Sequence, residues 1–112
     1  MVVWWLTRTE CLSAFARRLR EGVMSARDER RARQFLKTLS QAWSEVQPSE
    51  SVRTVAERLL AVHDLRSADA LQLAAALEWC DARPSGVAFV CLDARLRQAA
   101  QREGFEPFPA ED

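Results

Sequence analysis

Three acidic residues, Glu10, Asp69 and Asp93, are the positions of this chain best suited to hold a cation. Asp69 lies in SADALQLAAAL, at the head of an otherwise apolar segment, and Asp93 ends the apolar run of FVCLDARL. Two carboxylates about 4 Å apart repel by roughly 4 kcal/mol at an effective dielectric near 20, so such a cluster takes a cation or takes up protons. Clustered oxygen donors select hard ions, and Mg²⁺ or Mn²⁺ would orient a phosphate and activate water for in-line attack on a phosphodiester. Taken singly, each acid has a plainer role. Asp69 suits the first turn of a helix, where the macrodipole favours an anion, Asp93 suits an N-cap, and Glu10 reads as a surface charge.

Other chemistries find no support. The only glycines are Gly22, Gly86 and Gly104, so no G-x-G-x-x-G or Walker A loop exists, and there is no G-x-S-x-G elbow. Cys11, Cys80 and Cys91 are odd in number, widely spaced and accompanied by a single His63, which gives neither a disulfide framework nor a zinc site. A reducing cytoplasm fits this usage. The opening VVWWL is too short for a signal-peptide core, and no run approaches a membrane span.

The elements that must carry the acids follow from periodicity. VVWW reads as a short buried strand. A helix follows from about Thr7 to Glu21, with Leu12, Phe15, Ala16 and Leu19 on one face and Gly22 closing it. A second helix turns Ala32, Phe35, Leu36 and Leu39 inward and carries Arg27, Arg30, Arg31 and Arg33 on its other face. Residues 43 to 46 suggest an edge-like strand ended by Pro48. A third helix, from Ser49 to about Val62, places Val52, Val55, Ala56, Leu59 and Leu60 inward, and a fourth runs from a Ser67 cap to about Cys80. Residues 87 to 92, VAFVCL, form the clearest strand, apolar on both faces and so expected to be covered by helices on each side. Asp93 starts the last helix, Gly104 stops it, and FEPF adds an edge strand. Strands separated by helices predict an α/β fold with a parallel sheet between helical layers. Asp93 then sits at the carboxyl end of the best strand, where such sheets bind ligands.

With 112 residues the chain is long enough for one core and short for two. Formal charge is zero, with 16 basic and 16 acidic residues, so nothing drives the whole chain toward nucleic acid or membrane. The distribution is uneven. Residues 1 to 40 hold nine basic and four acidic residues, leaving seven against twelve in the remainder. All the bases but Lys37 are arginine, which suits flat contacts to phosphate, although compositional bias gives the same count. His63 reads as a loop or helix-end residue, and the four tryptophans as core or half-buried packing.

LRSADALQLAAAL, then a glycine-containing turn, then FVCLDARLRQAAQREGF, resembles the carboxyl half of a PIN-domain ribonuclease of the toxin and antitoxin type. LTRTECLSAFARRLREG is similar to that family's glutamate-bearing helix, and the resemblance spans Val2 to Pro107. It implies a single PIN-like domain over residues 1 to 112, a three-layer α/β fold with helices flanking a parallel sheet. It further implies endoribonuclease activity with Glu10, Asp69 and Asp93 as catalytic ligands of Mg²⁺ or Mn²⁺. By their own chemistry Arg27, Arg30, Arg31 and Arg95 read first as solvated surface charge, and at the mouth of a carboxylate site they would instead be RNA-backbone contacts. The partners that the resemblance implies are RNA, an antitoxin and a second copy, without a membrane.

The chain departs from the family in lacking a central opening strand that bears a further aspartate, and it has Cys91 where a hydroxyl residue is common. The resemblance therefore implies an N-terminally truncated fold with two unpaired strand edges, reduced metal binding and doubtful activity. A noncatalytic module that binds protein or RNA is the alternative.

Overall fold

β-branched and aromatic residues open the chain, and they form strand β1, Val2–Trp4, in the computed structural model, which describes residues 1 to 110. By its internal contacts the chain divides into two units, residues 1 to 45 and residues from 46 onward.

In the first unit β1 is followed by α1 (Thr7–Arg20) and α2 (Ala26–Ser40), and β2 (Ser44–Val46) crosses the boundary. β1 and β2 form a two-stranded sheet, and the Ser44 N–H donates to the Met1 carbonyl at 3.0 Å. Ser25 caps α2 by accepting from the Asp28 N–H at 3.1 Å. Trp4 is buried, as a strand core residue should be. The helical stripes are less deeply placed than their spacing predicts. No residue of α1 is buried: Leu12 and Leu19 lie at the exposed end of the range, and Phe15 and Ala16 are half-buried. On α2 Leu36 is buried, whereas Phe35 is 69% exposed. Two helices and a three-residue ribbon enclose too little volume to cover both stripes.

The second unit contains α3 (Glu50–Val62), α4 (Ser67–Trp79), β3 (Ala88–Val90), α5 (Ala94–Glu103) and β4 (Glu106–Phe108). Ser49 caps α3 through the Val52 N–H at 3.1 Å. Val52, Ala56 and Leu59, spaced four and three residues apart, are all buried on α3, and Ala70, Leu73, Ala74 and Leu77 form the matching buried set on α4. The alanines let the two backbones approach closely, and Leu59 and Leu73 each contribute about 1.5–3 kcal/mol by leaving water. Leu60, expected inward, is 42% exposed, and Val55 is half-buried. Leu96, Ala99 and Ala100 bury the inner face of α5. Gly104 ends that helix at φ 109°, and a Cβ there would meet Pro84 Cγ at 2.9 Å, so both conformation and space require glycine.

β3 and β4 run parallel with Ala88 opposite Glu106, Phe89 opposite Pro107 and Val90 opposite Phe108. The expected single sheet is thus two sheets of two strands. The expected strand over residues 87 to 92 is also shorter. Only Phe89 of β3 is buried, its ring 5.5 Å from that of Phe105, while Val90 is 69% and Leu92 84% exposed. The reason is that one face of β3 packs on its unit, while among the described residues none covers Val90 and Leu92 on the other.

An ionic cluster ties α3 to the end of α5. Glu103 accepts from Arg58 Nη2 at 2.8 Å and lies 2.6 Å from His63 Nε2. His63 does end α3, but it is buried, which its reading as a loop residue does not convey. Hydrogen bonding to Arg58 foremost, and to His63, holds the Glu103 carboxyl below its ordinary value against the effect of burial. An ionised carboxylate only accepts, so Nε2 is the donor to Glu103, and among the described residues Nδ1 is buried without a hydrogen-bond partner.

A depressed carboxyl pKa contributes stability that is present above the unfolded value near 4.5 and is lost as pH falls through the folded value. Glu103→Gln, which leaves Arg58 and His63 without their anion, should cost about 2 kcal/mol at neutral pH. Urea midpoints measured across the acid range should show this loss at neutral pH and a flatter acid limb for the variant. Equal acid limbs would refute the assignment.

Candidate metal centre

Two helix beginnings position the acids of the second unit. The backbone of Arg66 takes the extended N-cap conformation of α4, at φ −81° and ψ 161°, and makes no side-chain capping bond. Ser67, expected as the cap, is therefore already helical. The first-turn N–H groups lack a capping side chain, and Asp69, half-buried in that turn, is the anion this helix end favours. Asp93 follows β3 by three residues and caps α5, its Oδ1 accepting from the Leu96 N–H at 2.9 Å. The predicted cap role of Asp93 is thus realised. It engages one of its two oxygens, and a carboxylate offers about four acceptor sites in all.

These two acids are neighbours. The Asp69 carboxyl is pushed above the ordinary carboxylate value by burial first and by the negative charge of Asp93 second, with Arg66 opposing. Cys91 senses both: burial foremost raises its thiol pKa, and the charges of Asp93 and Asp69 add to the rise. A hydrogen bond with the Asp93 backbone and the charge of Arg97 oppose the rise without cancelling it, so the surroundings disfavour the Cys91 thiolate. Arg97 Nη1 donates to the Cys91 carbonyl at 2.9 Å and fixes the short connection that carries Asp93 from β3 into α5.

The remaining predicted residues are distributed differently. Glu10 lies in the first turn of α1, in the other unit, half-buried, and its charge helps raise the pKa of Cys11. Among the described residues no group of three His, Cys, Asp or Glu side chains is arranged to hold a metal ion. Asp69 and Asp93 are thus coupled electrostatically within the second unit, and Glu10 belongs to the first. Arg27, Arg30 and Arg31 are exposed on α2 in the first unit. Arg95 is exposed beside Asp93 in sequence and reaches Asp64 at 3.6 Å, a surface pair of small energetic weight. Reading the sequence missed the cluster of Arg58, His63 and Glu103, whose members lie 40 and 45 residues apart and share no local pattern.

Two carboxylates plus water suit Mg²⁺, which keeps much of its hydration and commonly uses one or two protein carboxylates. Without a cation their repulsion is a cost of folding. Because the Asp69 pKa is raised in the fold, its ionised form weakens stability above that value, and the penalty fades as pH falls and the group is protonated. Asp69→Asn should raise the urea midpoint at neutral pH in the presence of a chelator, by a few tenths to about 1 kcal/mol, with the gain shrinking in acid. A variant less stable than the parent at neutral pH would contradict the repulsive pair. No protein-family model, curated protein or solved structure matches the chain.

Proposed function

We propose that this chain follows the PIN-type, three-layer α/β plan and is a metal-dependent endoribonuclease of the toxin and antitoxin type, with Asp69 and Asp93 as ligands of Mg²⁺ or Mn²⁺. The observation that carries the reading is the electrostatic coupling of Asp69, in the first turn of α4, to Asp93, just past the carboxyl end of β3, whose negative charge raises the Asp69 pKa. Their donor chemistry fits a hard cation. When bound, such an ion supplies Lewis-acid polarisation of a phosphate oxygen. The protein's own part is to hold the two carboxylates in place. Asp93 does so through its capping bond to α5, and Asp69 through the favourable field at the start of α4. Arg95 and the α2 arginines Arg27, Arg30 and Arg31 are the proposed RNA contacts, acting on phosphate rather than on base identity. The accompanying partners are an antitoxin and a second copy, and the setting is the cytoplasm.

A second reading, a noncatalytic module that binds protein or RNA, is favoured by the lack of a three-ligand group among the described residues. Metal linkage separates the two. A cation that binds only the folded state stabilises it by about 2.7 kcal/mol at a hundredfold excess over its Kd. Mn²⁺ should therefore raise the Tm of the parent, and leave Asp69→Asn and Asp93→Asn unmoved, while the parent alone cleaves RNA. Asparagine caps a helix as well as aspartate does, so Asp93→Asn removes the charge and keeps the cap. A parent Tm indifferent to Mn²⁺ removes the metal reading. A Tm shift retained by both variants places the ion elsewhere.

A further inference from the structure

The carboxyl end of α4 breaks several local rules at one place. A helix end of this polarity carries partial negative charge and favours bases, yet the last turn of α4 holds no base, contains Glu78, and is followed directly by Cys80 and Asp81. The chain then stops the helix in the way that usually uses glycine: the Ala82 N–H donates to the Leu77 carbonyl at 2.8 Å and the Asp81 N–H to the Glu78 carbonyl at 3.2 Å. Here the left-handed position is Asp81, at φ 53°, and Ala82 after it is left-handed too, at φ 57°. Strain of this kind clusters where a ligand is held. A cavity of about 380 Å³ opens at the same place, lined by Val55 and Arg58 of α3 and by Leu77, Glu78, Asp81 and Ala82. That volume suits a small ligand.

We propose that this cavity binds an organic cation, an ammonium or guanidinium group on a short alkyl stem, with Glu78, Asp81 and the end of α4 countering the charge and Val55, Leu77 and Ala82 contacting the stem. Charge specifies the occupant. Arg58 is already matched by Glu103, to which its two Nη atoms donate at 2.8 and 3.3 Å. Among the described residues neither Glu78 nor Asp81 has an ionic partner, and Arg83, the next base along the chain, does not line the cavity. Arg58 thus stands against Glu103, Glu78 and Asp81, one positive group against three negative, and the helix end adds to the excess. The apolar share of the lining selects an alkyl cation over a bare metal ion, for which no group of three His, Cys, Asp or Glu side chains is arranged among the described residues. About 14 Å of helix separates Asp69 from Glu78, so the cavity is distinct from the proposed metal centre, and the inference does not depend on the nuclease reading.

The test titrates the full chain, in chelator at low salt, with acetyl-arginine amide and with spermidine, and follows backbone amides by NMR. At least one probe should bind saturably, with a Kd on the order of 1 mM, and shift the amides of Glu78, Asp81 and Ala82. Acetyl-citrulline amide, the uncharged isostere, should bind at least about tenfold more weakly. Asparagine tolerates the left-handed backbone, so Asp81→Asn removes only the charge. It and Glu78→Gln should each weaken binding about two- to fivefold, and the double variant about tenfold or more. Asp81→Gly should weaken binding while raising the Tm, which separates loss of the site from loss of the fold. Binding of the arginine compound alone assigns the cation to a partner's side chain, binding of spermidine alone to a free polyamine, and either supports the site, as binding of both does. No saturable binding of either probe overturns the proposal. Equal binding of the citrulline compound overturns it too, and so do amide shifts confined to Asp69 and Asp93.

Discussion

A helix that is apolar on nearly every side has to be surrounded, and α4 sets that constraint for the second unit. Ala70, Leu73, Ala74, Ala75 and Leu77 are all buried, and α3 answers with Val52, Ala56 and Leu59. Burying this surface draws the first turn of α4 out of water together with its aspartate. That is why desolvation is the foremost cause of the raised Asp69 pKa and the charge of Asp93 only the second. The packing that stabilises the unit thus also makes its anion uncomfortable. Perturbed groups of this kind cluster at functional sites, though structural constraint alone can perturb them as well.

Helix ends resolve part of that tension. Asp93 satisfies the Leu96 N–H, and Asp69 occupies a first turn whose N–H groups have no capping side chain. Asp93 is favourable as a cap, while Asp69 is opposed first by burial and then by the charge of Asp93. A divalent cation would relieve the repulsion without disturbing either helix, which is the physical basis of the nuclease reading. At the far end of α5 the same unit solves an electrostatic problem in the opposite way. Glu103, mostly buried, is held by Arg58 and His63, and its pKa falls. One carboxylate in the unit is stabilised by its neighbours and another is opposed by its own.

The order of elements, the Asp93 cap and the Gly104 stop were all legible in the sequence, because each is a local matter of periodicity or backbone conformation. The positions of Asp69 at the head of an apolar helix and of Asp93 after the best strand were legible too. Depth was not. A stripe such as Phe35 with Leu36 and Leu39 shows which side of a helix is apolar, but not whether anything lies across from it. Phe35 is exposed and Leu36 is buried. VAFVCL suggested a strand covered on both faces, and only the Phe89 face is covered. Composition fixes what a strand tolerates, while its neighbours fix what it receives. The Ser67 cap failed for a smaller reason: the helix starts one residue earlier in its backbone, at Arg66. The bonds of Glu103 to Arg58 and His63 left no trace in the sequence, because charges that far apart along a chain are common and few of them meet.

The shared anionic site can be measured directly by following the Asp69 side-chain carboxyl carbon through a pH titration by NMR, in the parent chain and in Asp93→Asn. The account predicts that Asp69 titrates above the ordinary carboxylate value in the parent and moves downward when the Asp93 charge is removed. Titration at an ordinary value, unmoved by that substitution, would contradict it.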